Sequence, residues 1–167
     1  PSETPGTEKK GAHHPGRLRL PQQAMNTQDI STWKLNGMTV SSSGALSRRS
    51  KSRTTLTPLL QSSEQSELLE VEGFAGATAL DSLIDDTPIQ GKRHVIAARI
   101  EGPGYSAFPD GIKGHPPGLQ KAAQIHVVVV ADTDLLMDQV SRLAPDNNAL
   151  FVLNTLDSLS ALDALAS

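Results

Sequence analysis

The run Ala131-Asp132-Thr133-Asp134 stands where α/β proteins often place a ligand, directly after a run of four valines. Open α/β sheets gather their sites beyond the carboxyl ends of strands. Two carboxylates two residues apart could hold a divalent cation through oxygen ligands, or take part in a sugar site. The competing reading is structural. Asp132 caps a helix and Asp134 sits in its first turn, where the helix dipole favours negative charge. Capping is preferred, because acidic caps are so widely used at such turns. Arg99, at the end of another apolar run, could pair with a carboxylate at the end of a neighbouring strand.

A second cluster is Tyr105, Phe108, Pro109 and Asp110, within a stretch dense in Gly and Pro. Aromatic side chains on such a segment could form a partner-binding surface, since loops carry function on rigid scaffolds. Equally, one ring could fold back onto the core as an anchor.

Other chemistries find little support. With no cysteine, disulfides, thiolate metal sites and cysteine nucleophiles are excluded. There is no G-x-S-x-G elbow, and the serine runs at 41–43 and 62–66 lack a nearby histidine. His94 and His126 open apolar runs, His115 lies among Gly and Pro, and His13 and His14 lie in a polar lead-in. None has metal-ligand spacing. Gly102-Pro103-Gly104 is followed by no Lys-Ser/Thr pair and reads as a turn rather than a phosphate cradle. Neither a catalytic residue, a metal site nor a cofactor is expected, and the chain is read as a non-enzyme.

Composition narrows the class further. The 167 residues suit a single domain with a real core. Only five aromatics occur (Trp33, Phe74, Tyr105, Phe108, Phe151), so that core must rest on Leu, Val, Ile and Ala. With 15 Lys and Arg against 18 Asp and Glu, there is no electrostatic reason to expect nucleic acid. The basic cluster Arg48, Arg49, Lys51 and Arg53 is interleaved with serines and reads as a solvated loop. No apolar run approaches the roughly 18 residues of a membrane span. The chain starts on a polar stretch without Met or an apolar leader, which suggests a fragment or a processed product.

The elements that must position these residues follow from patterning. Residues 1–16 read as a disordered lead-in or linker, and 17–167 as one α/β domain. Short strands are predicted at Leu18–Leu20, Met38–Ser43 and Thr54–Leu60, the last at an edge or bent because of Pro58. A short helix is expected over Asn26–Trp33, and a better one over Ala77–Asp85. Ser62–Gln65 reads as a turn, and Glu67–Val71 is ambiguous between helix and strand. His94–Ile100 forms a covered strand. Residues 102–123 hold so much Gly and Pro that they must be mainly a long flexible loop. Ile125–Ala131 is the strongest strand, and its unalternating valines predict burial on both faces. Helices follow at about Asp134–Leu143 and from Asn147 or Asn148 to about Leu159, the latter with Leu150, Leu153, Leu156 and Leu159 at every third place. Strand then helix, repeated, predicts an α/β sheet with a parallel component.

Several of these segments together resemble a known family. Thr57 to Ser63 (TPLLQSS) is similar to its PLL-S-S strand, and Lys92 to Ile100 (KRHVIAARI) to its Y-x-LAAR strand. Ser106 to Gly111 resembles the loop that follows. Val128 to Leu136 (VVVADTDLL) is similar to its V-ADTD-L turn, and Asn147 to Ser160 to its closing N-x-x-F-x-x-N-x-x-D-x-L-S helix. The family is the auxiliary component of uncharacterised, gliding-motility-type ABC transport systems, the GldG-like proteins. The matches keep their order over about 17–163, with looser spacing at 112–124 and 140–146.

The resemblance implies a Rossmann-like or amidotransferase-like sheet with flanking helices. Here it would be partial, the later portion of a larger soluble domain. It also implies a periplasmic position tethered to the inner membrane by segments outside this chain. The implied partners are an ABC permease and its ATPase, with a homo-oligomer possible. The role is then a non-catalytic binding or scaffolding subunit. Asp132, Asp134, Arg99, Asn154 and Asp157 fall on the family's motifs, but the resemblance assigns none of them a catalytic role.

Overall fold

A computed structural model describes residues 16–69, 91–137 and 147–166, with side chains through residue 161. Two antiparallel sheets and one long helix enclose the core. Strands β1 (Arg17–Pro21) and β2 (Gly37–Ser41) pair through Leu18↔Val40 and Leu20↔Met38. Strands β3 (Thr55–Gln61), β4 (Val95–Tyr105) and β5 (Lys121–Val130) form the second sheet in the order β3-β4-β5. Helix α1 spans Asn147–Ala166. The core joins Leu20, Met38 and Val40 of the first sheet to Leu59, Leu60 and Ile96 of the second. Leu35, Leu135 and Phe151 close it.

The class is mixed α/β, as the patterning predicts. The expected parallel component is corrected: among the described residues every strand pair is antiparallel. The reason lies in the Gly/Pro-rich stretch. The strands reach into residues 102–123, with β4 running on to Tyr105 and β5 beginning at Lys121 as its hairpin partner, and residues 106–120 form the loop that connects them. Pro103 is accommodated at an irregularity, where the register passes from Gly102↔Ile125 to Gly104↔Ala122. A proline that cannot donate to a ladder is tolerated at such a bulge. Pro58 behaves likewise, followed by a register shift on edge strand β3.

Strand order also reassigns the doubly covered strand. β4 lies between two partners and buries Ile96, Ala97, Ala98 and Arg99 in succession. Among the described residues the valine strand β5 is at the edge, and it leaves Val127 40% exposed. A run of valines shows that a strand is apolar, not which neighbour covers it.

Residues 26–34 form turns rather than the expected helix. Short polar side chains compete for the backbone there: Asn26 Oδ1 accepts from the Gln28 N–H, and Asp29 Oδ1 from the Ser31 N–H and hydroxyl. The helix expected at Ala77–Asp85, the lead-in up to residue 15 and residues 138–146 lie outside the described residues.

Helix α1 begins at Asn147 as expected, but turns a different face inward. Asn148, Phe151, Thr155 and Ser158 are buried, whereas Leu150, Leu153 and Leu156 are exposed.

Candidate functional site

Three side-chain clusters occupy the positions singled out by the sequence. The first surrounds Arg99. Its guanidinium donates from Nε and Nη2 to the two carboxylate oxygens of Asp29, at 2.8 and 2.9 Å, and from Nη2 to the Ser158 hydroxyl at 3.1 Å. Burial alone would push the Asp29 carboxyl up. The hydrogen bonds from Arg99 and Ser31 outweigh it and hold the group at about 2. The same bidentate pairing raises the already high Arg99 value. Arg99 therefore sits mid-strand and pairs with a turn, not with a carboxylate ending a neighbouring strand. The arrangement clamps β4, the 26–34 turn and α1 together, and both charged groups are too buried to meet a large substrate.

The second cluster is the Asp132 turn. Asp132 accepts from the Ser41 N–H at 2.7 Å and from the Asp134 N–H at 2.8 Å. Two places back along β2, Asn148 Oδ1 accepts from the Thr39 N–H while its Nδ2 donates to the Thr39 and Leu135 carbonyls. Thr39 and Ser41 thus have their backbone groups met by side chains, as a further strand would meet them. Capping an otherwise open edge in this way suppresses unwanted pairing. Burial, the first cause, raises the Asp132 carboxyl, and backbone hydrogen bonds oppose it. Its partners are those of a turn-former. Among the described residues the Asp134 carboxylate accepts only a long 3.4 Å bond, from the Thr133 hydroxyl. Among the described residues no three His, Cys, Asp or Glu side chains converge as a metal-ligand set.

This asymmetry makes a prediction. Asp132→Ala leaves two N–H groups unmet and should lower stability by about 1–2 kcal/mol, while Asp134→Ala should stay within about 0.5 kcal/mol. Urea melts of the two variants decide it; equal losses would show that the turn does not depend on Asp132.

The third cluster lies at the β4–β5 hairpin end. Tyr105 is 64% exposed, Phe108 62% and Leu119 81%, with Ile112 also exposed. Neither aromatic folds back onto the core. The connecting residues carry hydrogen bonds of their own. Ser106 N–H donates to Gln120 O, Gly111 N–H to Phe108 O, and Ile112 and His115 exchange two bonds. Gln120 Nε2 reaches Pro109 O at 3.2 Å. Gly111 adopts φ +83°, and a side chain there would meet the His115 carbonyl. Asp110 is exposed on the same loop. Beside the hairpin the basic turn is shaped by Arg48, which donates to the Thr54 and Ser52 carbonyls. Arg53 Nη1 comes within 3.5 Å of the Tyr105 hydroxyl.

Asp132, Arg99 and the hairpin are therefore three separate places. The sequence reading missed Asp29, Ser158 and Asn148 as buried polar partners, and no local pattern marks them. Asn148 alone carried a signal, as a candidate helix cap.

The chain belongs to the family described as an ABC-type uncharacterized transport system, auxiliary component, whose model matches residues 2–155. No curated protein and no solved structure matches it. Among the described residues no helix is long and apolar enough to cross a membrane.

Proposed function

We propose that this chain is a non-catalytic, extracytoplasmic binding subunit of a gliding-motility-type ABC transport system, docking on the permease through its β4–β5 hairpin. The observation that carries the reading is the group of exposed side chains at the hairpin end, Tyr105 closing β4 and Phe108, Ile112 and Leu119 on the hydrogen-bonded loop that follows. Apolar groups gathered this way mark interaction sites more often than isolated ones do. Membership of an auxiliary family supports transporter partners. The buried clusters at Arg99 and Asp132 tie the two sheets, the 26–34 turn and helix α1 together towards the other end of β4 and β5, away from the loop. A periplasmic position, tethered to the inner membrane by segments outside this chain, goes with this assignment.

Gentle membrane extraction of the tagged full-length protein, followed by mass spectrometry, tests it. The expected result is an ABC permease with its ATPase. Recovery of the protein alone, under conditions that keep other transporters intact, would contradict it.

A further inference from the structure

A groove of about 640 Å3 runs beside the hairpin base, between it and the basic turn. Its floor is apolar: Ile100 and Ile125 line it, and Gly104 leaves room for Ile125, whose Cγ2 would lie 2.5 Å from any Cβ placed there. Lys51, Arg53 and Lys121 also line it, and among the described residues no Asp or Glu does. That is unexpected in a chain where acids outnumber bases, 18 to 15. Three exposed cations around an apolar floor attract negative charge and bury apolar groups together.

We propose that this groove binds an extended acidic segment of the transporter partner, with carboxylates facing Lys51, Arg53 and Lys121 and apolar residues seated on Ile100 and Ile125. The proposal rests on the auxiliary-subunit reading and specifies what its hairpin recognises. Two features favour an extended polypeptide over an anionic bilayer. The floor residues Ile100 and Ile125 are only partly exposed, while Tyr105 and Leu119 stand out beside them. A flat surface would touch the latter pair alone; a narrow chain reaches the floor. In addition, Lys121 and Ile125 belong to β5, whose only strand partner among the described residues is β4. An added strand that pairs with this edge runs beside the groove, and the alternate side chains on its groove face reach Lys121 and Ile125.

The test titrates the full chain against a short fluorescein-labelled peptide of alternating glutamate and leucine. A lysine-leucine peptide and phosphatidylglycerol vesicles serve as comparisons. Binding of the acidic peptide is expected to weaken with salt and to fall about tenfold in Lys51→Glu/Arg53→Glu, since two exposed attractions become repulsions. Both residues are exposed, so the melting temperature should not move and misfolding is separately excluded. Equal binding of the lysine peptide, binding to vesicles alone, or no measurable binding overturns the proposal. In the full-length protein the same pair of substitutions should also reduce permease recovery. Undiminished recovery overturns the groove assignment and leaves the auxiliary-subunit reading standing. Failure of the unmodified protein to recover any transporter overturns that reading itself.

Discussion

Replacing Arg99 by methionine is expected to lower the unfolding free energy by about 3–5 kcal/mol, because it strands the Asp29 carboxylate in the interior. At this chain size that corresponds to a fall in Tm on the order of 10 °C. Asp29→Leu alone should cost about as much, leaving the guanidinium without its counter-charge. The double variant Arg99→Met/Asp29→Leu should be milder than either single one, since no charge is then left buried. The pair also sets an acid limb. A carboxyl held at about 2, against an ordinary 3.8, stabilises the fold once pH exceeds the unfolded value. Its contribution is about 2 kcal/mol, and it is lost as pH falls from near 4 towards 2. Asp132 works with the opposite sign. Its raised value means that the folded state holds its proton longer, so stability declines slightly as that group ionises with rising pH. In Asp29→Asn the acid limb should flatten. A methionine variant within about 1 kcal/mol of the parent would show that the clamp does not hold the turn to the sheet.

Asn148→Ala is the second large effect, expected at about 3 kcal/mol. The Asn148 amide meets the Thr39 N–H, the Thr39 carbonyl and the Leu135 carbonyl in a fully buried position. Its loss leaves those backbone groups without partners, each such omission costing about 1–3 kcal/mol before the site relaxes. Asn148→Asp separates hydrogen bonding from volume. A carboxylate still accepts from Thr39 but faces two carbonyl oxygens, so it should be at least as damaging near neutral pH. It should recover partly in acid, where the protonated carboxyl regains a donor for one of those carbonyls. Chemical denaturation at two pH values measures both. If Asn148→Asp is neutral and pH-independent, the amide is not closing the β2 edge.

How far these features were legible follows from their range. Strands β1, β2 and β3 and the start of α1 can be read from alternation, Pro58 and an asparagine cap, all local signals. The Arg99–Asp29 pair cannot, because its partners lie 70 positions apart and Asp29 sits in a polar stretch that reads as a helix start. The valines of β5 report apolarity, but their place at a sheet edge depends on the hairpin with β4, and Gly102-Pro103-Gly104 disguises that hairpin as a loop. In α1 the leucine spacing points to the wrong face. The inward positions are taken by Asn148, Thr155 and Ser158, whose hydrogen bonds make a polar face suit the interior. The hairpin aromatics were visible as a cluster, whereas their exposure depends on an ordered loop that composition alone does not reveal.

The most direct test of the central claim is photo-crosslinking in living cells from a reactive residue placed at Phe108 of the full-length protein. Lys34, an exposed position on the 26–34 turn, serves as the comparison. Docking through the hairpin predicts a permease adduct from Phe108 and none from Lys34. Adducts from Lys34 alone, or none from Phe108 while the transporter still co-purifies, would place the contact elsewhere and contradict the account.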